Sequence, residues 1–173
     1  MKKYKSTHIS FVYPENWTLF ENDGDEVSGE DETNEVTLQN PNGSQWTVAL
    51  YGKEETTDSL VKRAIAVFES EYEDLEIENT TESVGDCKLS GVDINFFLLD
   101  LLVVAEIRIL ERANDNLLII LQSESKELDE NREVFQAIAI VSPRTQIAGA
   151  FLKITPVFRG LRVKVRARVT SRP

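Results

Sequence analysis

The chain has one cysteine, one histidine and one methionine in 173 residues, with only five prolines and eight glycines. The lone Cys87 excludes an internal disulfide and fits a reducing compartment. With His8 and Cys87 as the sole imidazole and thiol, a zinc site of the usual N and S ligands is excluded. Nucleophilic catalysis is poorly served as well. Nothing in the sequence places His8 beside a serine or beside Cys87, and Cys87, between Asp86 and Lys88, reads as a half-buried structural residue. A glycine-rich phosphate loop is missing, since Gly85 and Gly91 stand as separate turn glycines. Long apolar runs are missing too. The longest, Phe96 to Ala105, is interrupted by Asp100 and falls short of the roughly 20 residues a membrane helix needs. The segment Met1-Lys2-Lys3-Tyr4-Lys5-Ser6-Thr7-His8 has no apolar core behind its charges, so no export signal and a cytoplasmic location are expected.

Acids are absent from the last part of the chain and crowded into the rest. The net charge is −11, yet all 30 acidic residues lie at or before Glu133. From Pro143 to Pro173 there are eight basic residues and no acid. The acidic body repels nucleic acid and anionic lipid at long range, whereas the basic tail attracts both or folds back on the body.

Thr7 to Tyr13 alternates and is rich in β-branched and aromatic residues, which predicts a first strand ended by Pro14. Trp17 to Glu21 reads as a short second strand. Glu35 to Gln39 and Ser44 to Tyr51 flank Asn40-Pro41-Asn42-Gly43, a hairpin turn whose Asn-Gly pair supplies positive φ. Thr57 to Asp74 has helical spacing, with Val61, Ile65, Phe68 and Tyr72 on one stripe and Thr57 or Asp58 as cap. Leu75 to Ser83, Val92 to Leu99, Leu102 to Glu111 and Asn116 to Gln122 then read as strands of an antiparallel meander. Leu128 to Val141 reads as a second helix, with Pro143 beyond its end. Strands in consecutive blocks predict an α+β domain with a central antiparallel sheet flanked by helices. The domain is expected over residues 1–142. Residues 143–173 form a basic extension, read either as an added β-hairpin or as disordered.

Four candidate features remain. The acid-rich loop Glu21 to Glu35 has Gly24 and Glu30 at calcium-loop spacing, but the first ligand position would fall on Leu19, so a solvated loop is preferred. Asp23, Asp25 and Glu30 of that loop are candidate partner contacts rather than metal ligands. Paired carboxylates abound elsewhere, but without a fixed cleft they do not specify glycosidase-type chemistry. The aromatics Phe11, Tyr13, Trp17 and Trp46 read first as core and sheet-edge packing, with Trp17, just after a strand end, as the candidate for partial exposure and partner contact. In the tail, Leu161 to Val169 alternates apolar and basic, placing Arg162, Lys164, Arg166 and Arg168 on one face of a strand. That strand packs on the sheet edge, binds an anionic partner such as nucleic acid, or is foreign to the domain; nucleic-acid binding ranks last.

Phe11-Val12-Tyr13-Pro14-Glu15-Asn16-Trp17, the Glu35 to Tyr51 hairpin, the Thr57 helix and the Phe135 helix ending near Ser142 together resemble the PsbP-like superfamily. The resemblance covers about residues 7 to 142 and implies an antiparallel sheet flanked by helices in a protein that acts by binding other proteins. The expected function is therefore a non-enzymatic protein-binding or chaperone-like module with no cofactor and no membrane contact. The alternatives are an enzyme with a carboxylate-based site, and anion or nucleic-acid binding through the basic strand.

Overall fold

The computed structural model describes residues 1–6, 9–22, 35–84, 87–138, 141–142 and 145–146. Along the chain lie β1 (Lys2–Lys5), β2 (Ser10–Tyr13), β3 (Thr18–Asn22), β4 (Glu35–Gln39), β5 (Gln45–Gly52), α1 (Thr57–Glu71), β6 (Glu76–Val84) and β7 (Cys87–Leu98). They are followed by β8 (Leu101–Glu111), β9 (Asp115–Glu124), α2 (Leu128–Ala137), β10 (Val141–Ser142) and β11 (Thr145–Gln146). The strands form a seven-stranded sheet in the order β3-β4-β5-β9-β8-β7-β6 and a four-stranded one in the order β1-β2-β10-β11. All pairings are antiparallel, as the blockwise strand pattern predicts.

Alternation along the central strands divides the core in two. Leu117, Ile119 and Leu121 of β9 join Trp46, Val48, Leu110 and Phe11 on one face, beneath α2 and the small sheet. Leu118 joins Ile94, Phe96, Ala105, Ile107 and the α1 residues Leu60, Ala64 and Phe68 on the other. The large sheet is thus buried on both faces, which explains why β8 and β9 read as nearly continuous apolar runs. Phe11 meets Trp46 edge-on, ring centroids 5.2 Å apart, and so ties the small sheet to the large one.

The hairpin turn follows its expected chemistry. Gly43 has φ +93°, and the Asn40 side chain accepts hydrogen bonds from the backbone N–H of Asn42 at 2.9 Å and Ser44 at 2.8 Å. Asn40 also donates to Asn131 of α2 at 3.0 Å, and the Asn131 amide donates to Ser44 and Ser123 at 2.8 Å each. This buried amide–hydroxyl cluster seats α2 on the turn. Beside it, Arg132 pairs with Glu106 of β8, while Arg108 reaches Asp93 of β7 at 2.7 Å.

Several boundaries differ from expectation. The first strand is β1, not Thr7 to Tyr13. Tyr4 anchors its three lysines by stacking on Phe11 at 4.9 Å, and Thr7 and His8 lie outside the described residues. The cap of α1 is Thr56, which accepts from Ser59 N–H at 3.2 Å, and the helix ends at Glu71 because Tyr72 is extended and Asp74 left-handed. The helix α2 stops at Ala137 rather than Val141; Ile138 leaves helical geometry with ψ 83°, and Val141 pairs with Ser10 in the small sheet. Gly91 is not a turn residue. It sits mid-strand opposite Arg108, where a β-carbon would come within 1.9 Å of the Ile107 carbonyl oxygen, so the close approach requires glycine.

Candidate functional site

The apolar run from Phe96 to Ala105 folds back on itself. Leu98 pairs with Leu101, which leaves Leu99 and Asp100 as a two-residue turn joining β7 to β8. Both turn residues are left-handed, at φ +48° and +66°. Tight hairpins favour this geometry, but they normally place Asn-Gly in it, and leucine there is strained. The turn lifts the apolar side chains out of the core: Phe97 is 59% exposed, Leu98 40%, Leu99 88% and Leu101 47%. Phe96, one residue earlier, is buried and stacks on Tyr72 at 4.2 Å. The carboxyl end of α1 therefore stands beside the base of the hairpin. That end carries Glu69 and Glu71, with Glu73 and Asp74 just beyond, and no basic residue in its last turn. The helix dipole adds to these carboxylates, so the apolar tip is flanked by a negative field.

A cleft lies between α1 and the sheet. This cleft of about 270 Å³ runs between α1 and β5–β9, with Leu118 and Ile120 as floor and Tyr51, Arg63, Val67 and Tyr72 along its walls. Arg63 lies 5.4 Å above the Tyr51 ring and pairs with Glu55. The Glu55 hydrogen bond raises the Arg63 pKa, while burial holds the Tyr51 hydroxyl above its ordinary value, opposed by the Arg63 charge. Among the described lining residues there is no histidine, cysteine or serine, and the polar side chains include Glu35, Thr47, Glu71 and Gln122.

Of the two readings of Trp17, core packing holds and the partner contact is corrected. Trp17 is 6% exposed and packs edge-on against Phe135 at 5.2 Å, so it belongs to the core rather than to a contact surface. The chain turns at Pro14, whose carbonyl accepts from Trp17 N–H at 3.2 Å, and this points the indole inward. Asp23, Asp25 and Glu30 lie outside the described residues, as do Arg162, Lys164, Arg166 and Arg168. Among the described residues, no group of three or more His, Cys, Asp or Glu side chains could hold a metal ion. Also among them, no helix is long and apolar enough to cross a membrane. The hairpin tip escaped sequence reasoning, although its signal is visible: an apolar run cut once, by Asp100, at the centre of what reads as two strands.

No protein-family model and no curated protein sequence matches the chain. Solved structures do. A Bacteroides thetaiotaomicron protein superposes with a TM-score of 0.51 at 16% identity, over 83% of this chain and 48% of that one. Cyanobacterial PsbP from Synechocystis superposes with a TM-score of 0.51 at 12% identity, over 81% of this chain and 92% of that one. At such identities the likeness is one of fold, and the fold is PsbP-like, as the opening Phe11 to Trp17 stretch and the helix order imply.

Proposed function

We propose that the chain is a non-enzymatic protein-binding module that grips a basic, partly apolar partner through the β7–β8 hairpin tip. The observation that carries this is the strained Leu99-Asp100 turn holding Phe97, Leu98, Leu99 and Leu101 in solvent. Exposed apolar side chains grouped at one tip mark contact sites, and backbone strain is retained where it serves one. The acids at the end of α1 select against anionic surfaces and speed encounter with cationic ones. Its PsbP-like fold is compatible with such an accessory role.

The test is affinity capture from the native host with the full chain and with a Leu99→Asp/Leu101→Asp variant. Circular dichroism and urea midpoints control for folding. The expected result is one protein recovered in constant ratio by the native chain and lost with the variant. Equal recovery by both chains removes the tip from the contact. Flotation with anionic vesicles is expected to show no binding; binding abolished by the same variant would replace the protein partner with a membrane.

A further inference from the structure

The large sheet ends on β6, which pairs with β7 along its whole length and, among the described residues, with no strand on its other side. Such an edge is a template for one more strand. Its sequence, Glu76-Ile77-Glu78-Asn79-Thr80-Thr81-Glu82-Ser83-Val84, places acids at 76, 78 and 82. Glu76 and Glu78 are exposed, and they lie opposite Asn95 and Asp93, on the face that carries the Asp93–Arg108 pair. Ile77 lies opposite Ile94 on the α1 face and is 40% exposed. The edge thus offers acids on one face and an uncovered apolar side chain on the other.

We propose that the chain's own segment Leu161 to Val169 adds to β6 as an antiparallel eighth strand. This inference is independent of the hairpin-tip reading. Its cations alternate to match the acids, with Arg162, Lys164, Arg166 and Arg168 at even positions. Leu161, Val163, Val165, Ala167 and Val169, at odd ones, fall on the face of Ile77, Asn79, Thr81 and Ser83 of β6. Antiparallel pairing that sets Arg168 opposite Glu76 also sets Arg166 opposite Glu78, Lys164 opposite Thr80 and Arg162 opposite Glu82. The same register sets Ala167 over Ile77. A one-residue slip moves every charge to the wrong face, and a slip of two opposes two glutamates of β6 to cations instead of three, so this register is the favoured one. Directly opposed unlike charges stabilise such a pair.

The other described edges fit less well. The edge strand β1 is Lys2-Lys3-Tyr4-Lys5, which repels the segment, β3 carries Glu21 as its single acid, and β11 is only Thr145–Gln146, with no acid. A second copy of β6 is disfavoured because antiparallel self-pairing brings glutamates together. The 15 residue steps from Gln146 to Leu161 span up to about 50 Å when extended, against roughly 19 Å for the four strand spacings from β5 to β6.

Hydrogen exchange on the full chain, read at the amides of Glu76–Val84, tests the proposal. The outward amides of β6 are expected to exchange at least about tenfold faster in an Arg166→Glu/Arg168→Glu variant than in the native chain. Adding Glu76→Arg/Glu78→Arg to that variant is expected to restore protection. Protection is expected to be independent of protein concentration and to weaken with salt. Identical exchange in the native and Arg166→Glu/Arg168→Glu chains overturns the proposal. Failure of the charge swap to restore protection overturns the register, and protection that grows with concentration overturns docking within one chain.

Discussion

The Trp17 indole meets the Phe135 ring edge-on, with centroids 5.2 Å apart and planes at 75°. This contact joins the turn after β2 to the last turn of α2 across more than a hundred residues of sequence. Trp17→Ala is expected to destabilise the fold by about 3–5 kcal/mol, because a buried indole is replaced by a cavity that Phe135 cannot fill. Urea denaturation followed by circular dichroism measures it. A loss below about 0.5 kcal/mol, the range of surface substitutions, would return Trp17 to the candidate contact residues.

Much of the architecture is legible before any coordinates. The Asn-Gly pair marks the β4–β5 turn, helical spacing marks α1, and the order of blocks marks an antiparallel sheet. Exposure is harder to read. Trp17 and Leu99 show why: both are apolar residues next to a strand end, yet one is turned inward by the Pro14 carbonyl and the other outward by a left-handed turn. Local pattern predicts which residues alternate, but only the pairing register decides which of them lose contact with the core. Lys2–Lys5 was missed for a related reason, since three lysines give no strand signal until Tyr4 finds Phe11.

Asn131 is likewise invisible as a core residue in sequence, because an asparagine on a helix reads as surface. Its amide satisfies Asn40, Ser44 and Ser123 at once. Asn131→Leu keeps the size but takes the acceptor from the buried Asn40 amide, while Ser44 and Ser123 keep their mutual contact at 3.1 Å; a buried polar group without a partner costs about 1–3 kcal/mol. The expected loss is about 1–3 kcal/mol, with faster amide exchange along α2 than along β8. Uniform exchange changes in both elements would show that the cluster does not seat the helix.

At the hairpin tip, stability and binding are expected to move in opposite directions. Leu99→Asn/Asp100→Gly installs the pair that this turn geometry prefers, and is expected to raise stability by about 1 kcal/mol. The same variant removes the most exposed apolar side chain of the tip, so partner recovery is expected to fall. A variant that gains stability and keeps its partner separates the strain from the contact and refutes their link.

The cleft beside α1 makes a prediction about alkaline pH. Burial raises the pKa of Tyr51 above its ordinary value of 10.0, with the Arg63 charge opposing; burial, then the Glu71 charge, raises that of Tyr72 as well. A hydroxyl that holds its proton more tightly in the fold gives its full contribution below the unfolded value. Above that value the unfolded chain ionises first, so the contribution is lost as pH climbs through the folded pKa. Native stability is therefore expected to fall as pH rises past 10.0, the ordinary tyrosine value. Tyr51→Phe keeps the ring beneath Arg63 and removes the titrating group, so its stability is expected to decline less steeply over the same interval. Urea midpoints at successive pH values, paired with phenolate absorbance near 295 nm (roughly the usual tyrosinate band), provide both readings. If the two chains lose stability in parallel, Tyr51 ionises as readily in the fold as out of it, and the cleft does not shelter its hydroxyl.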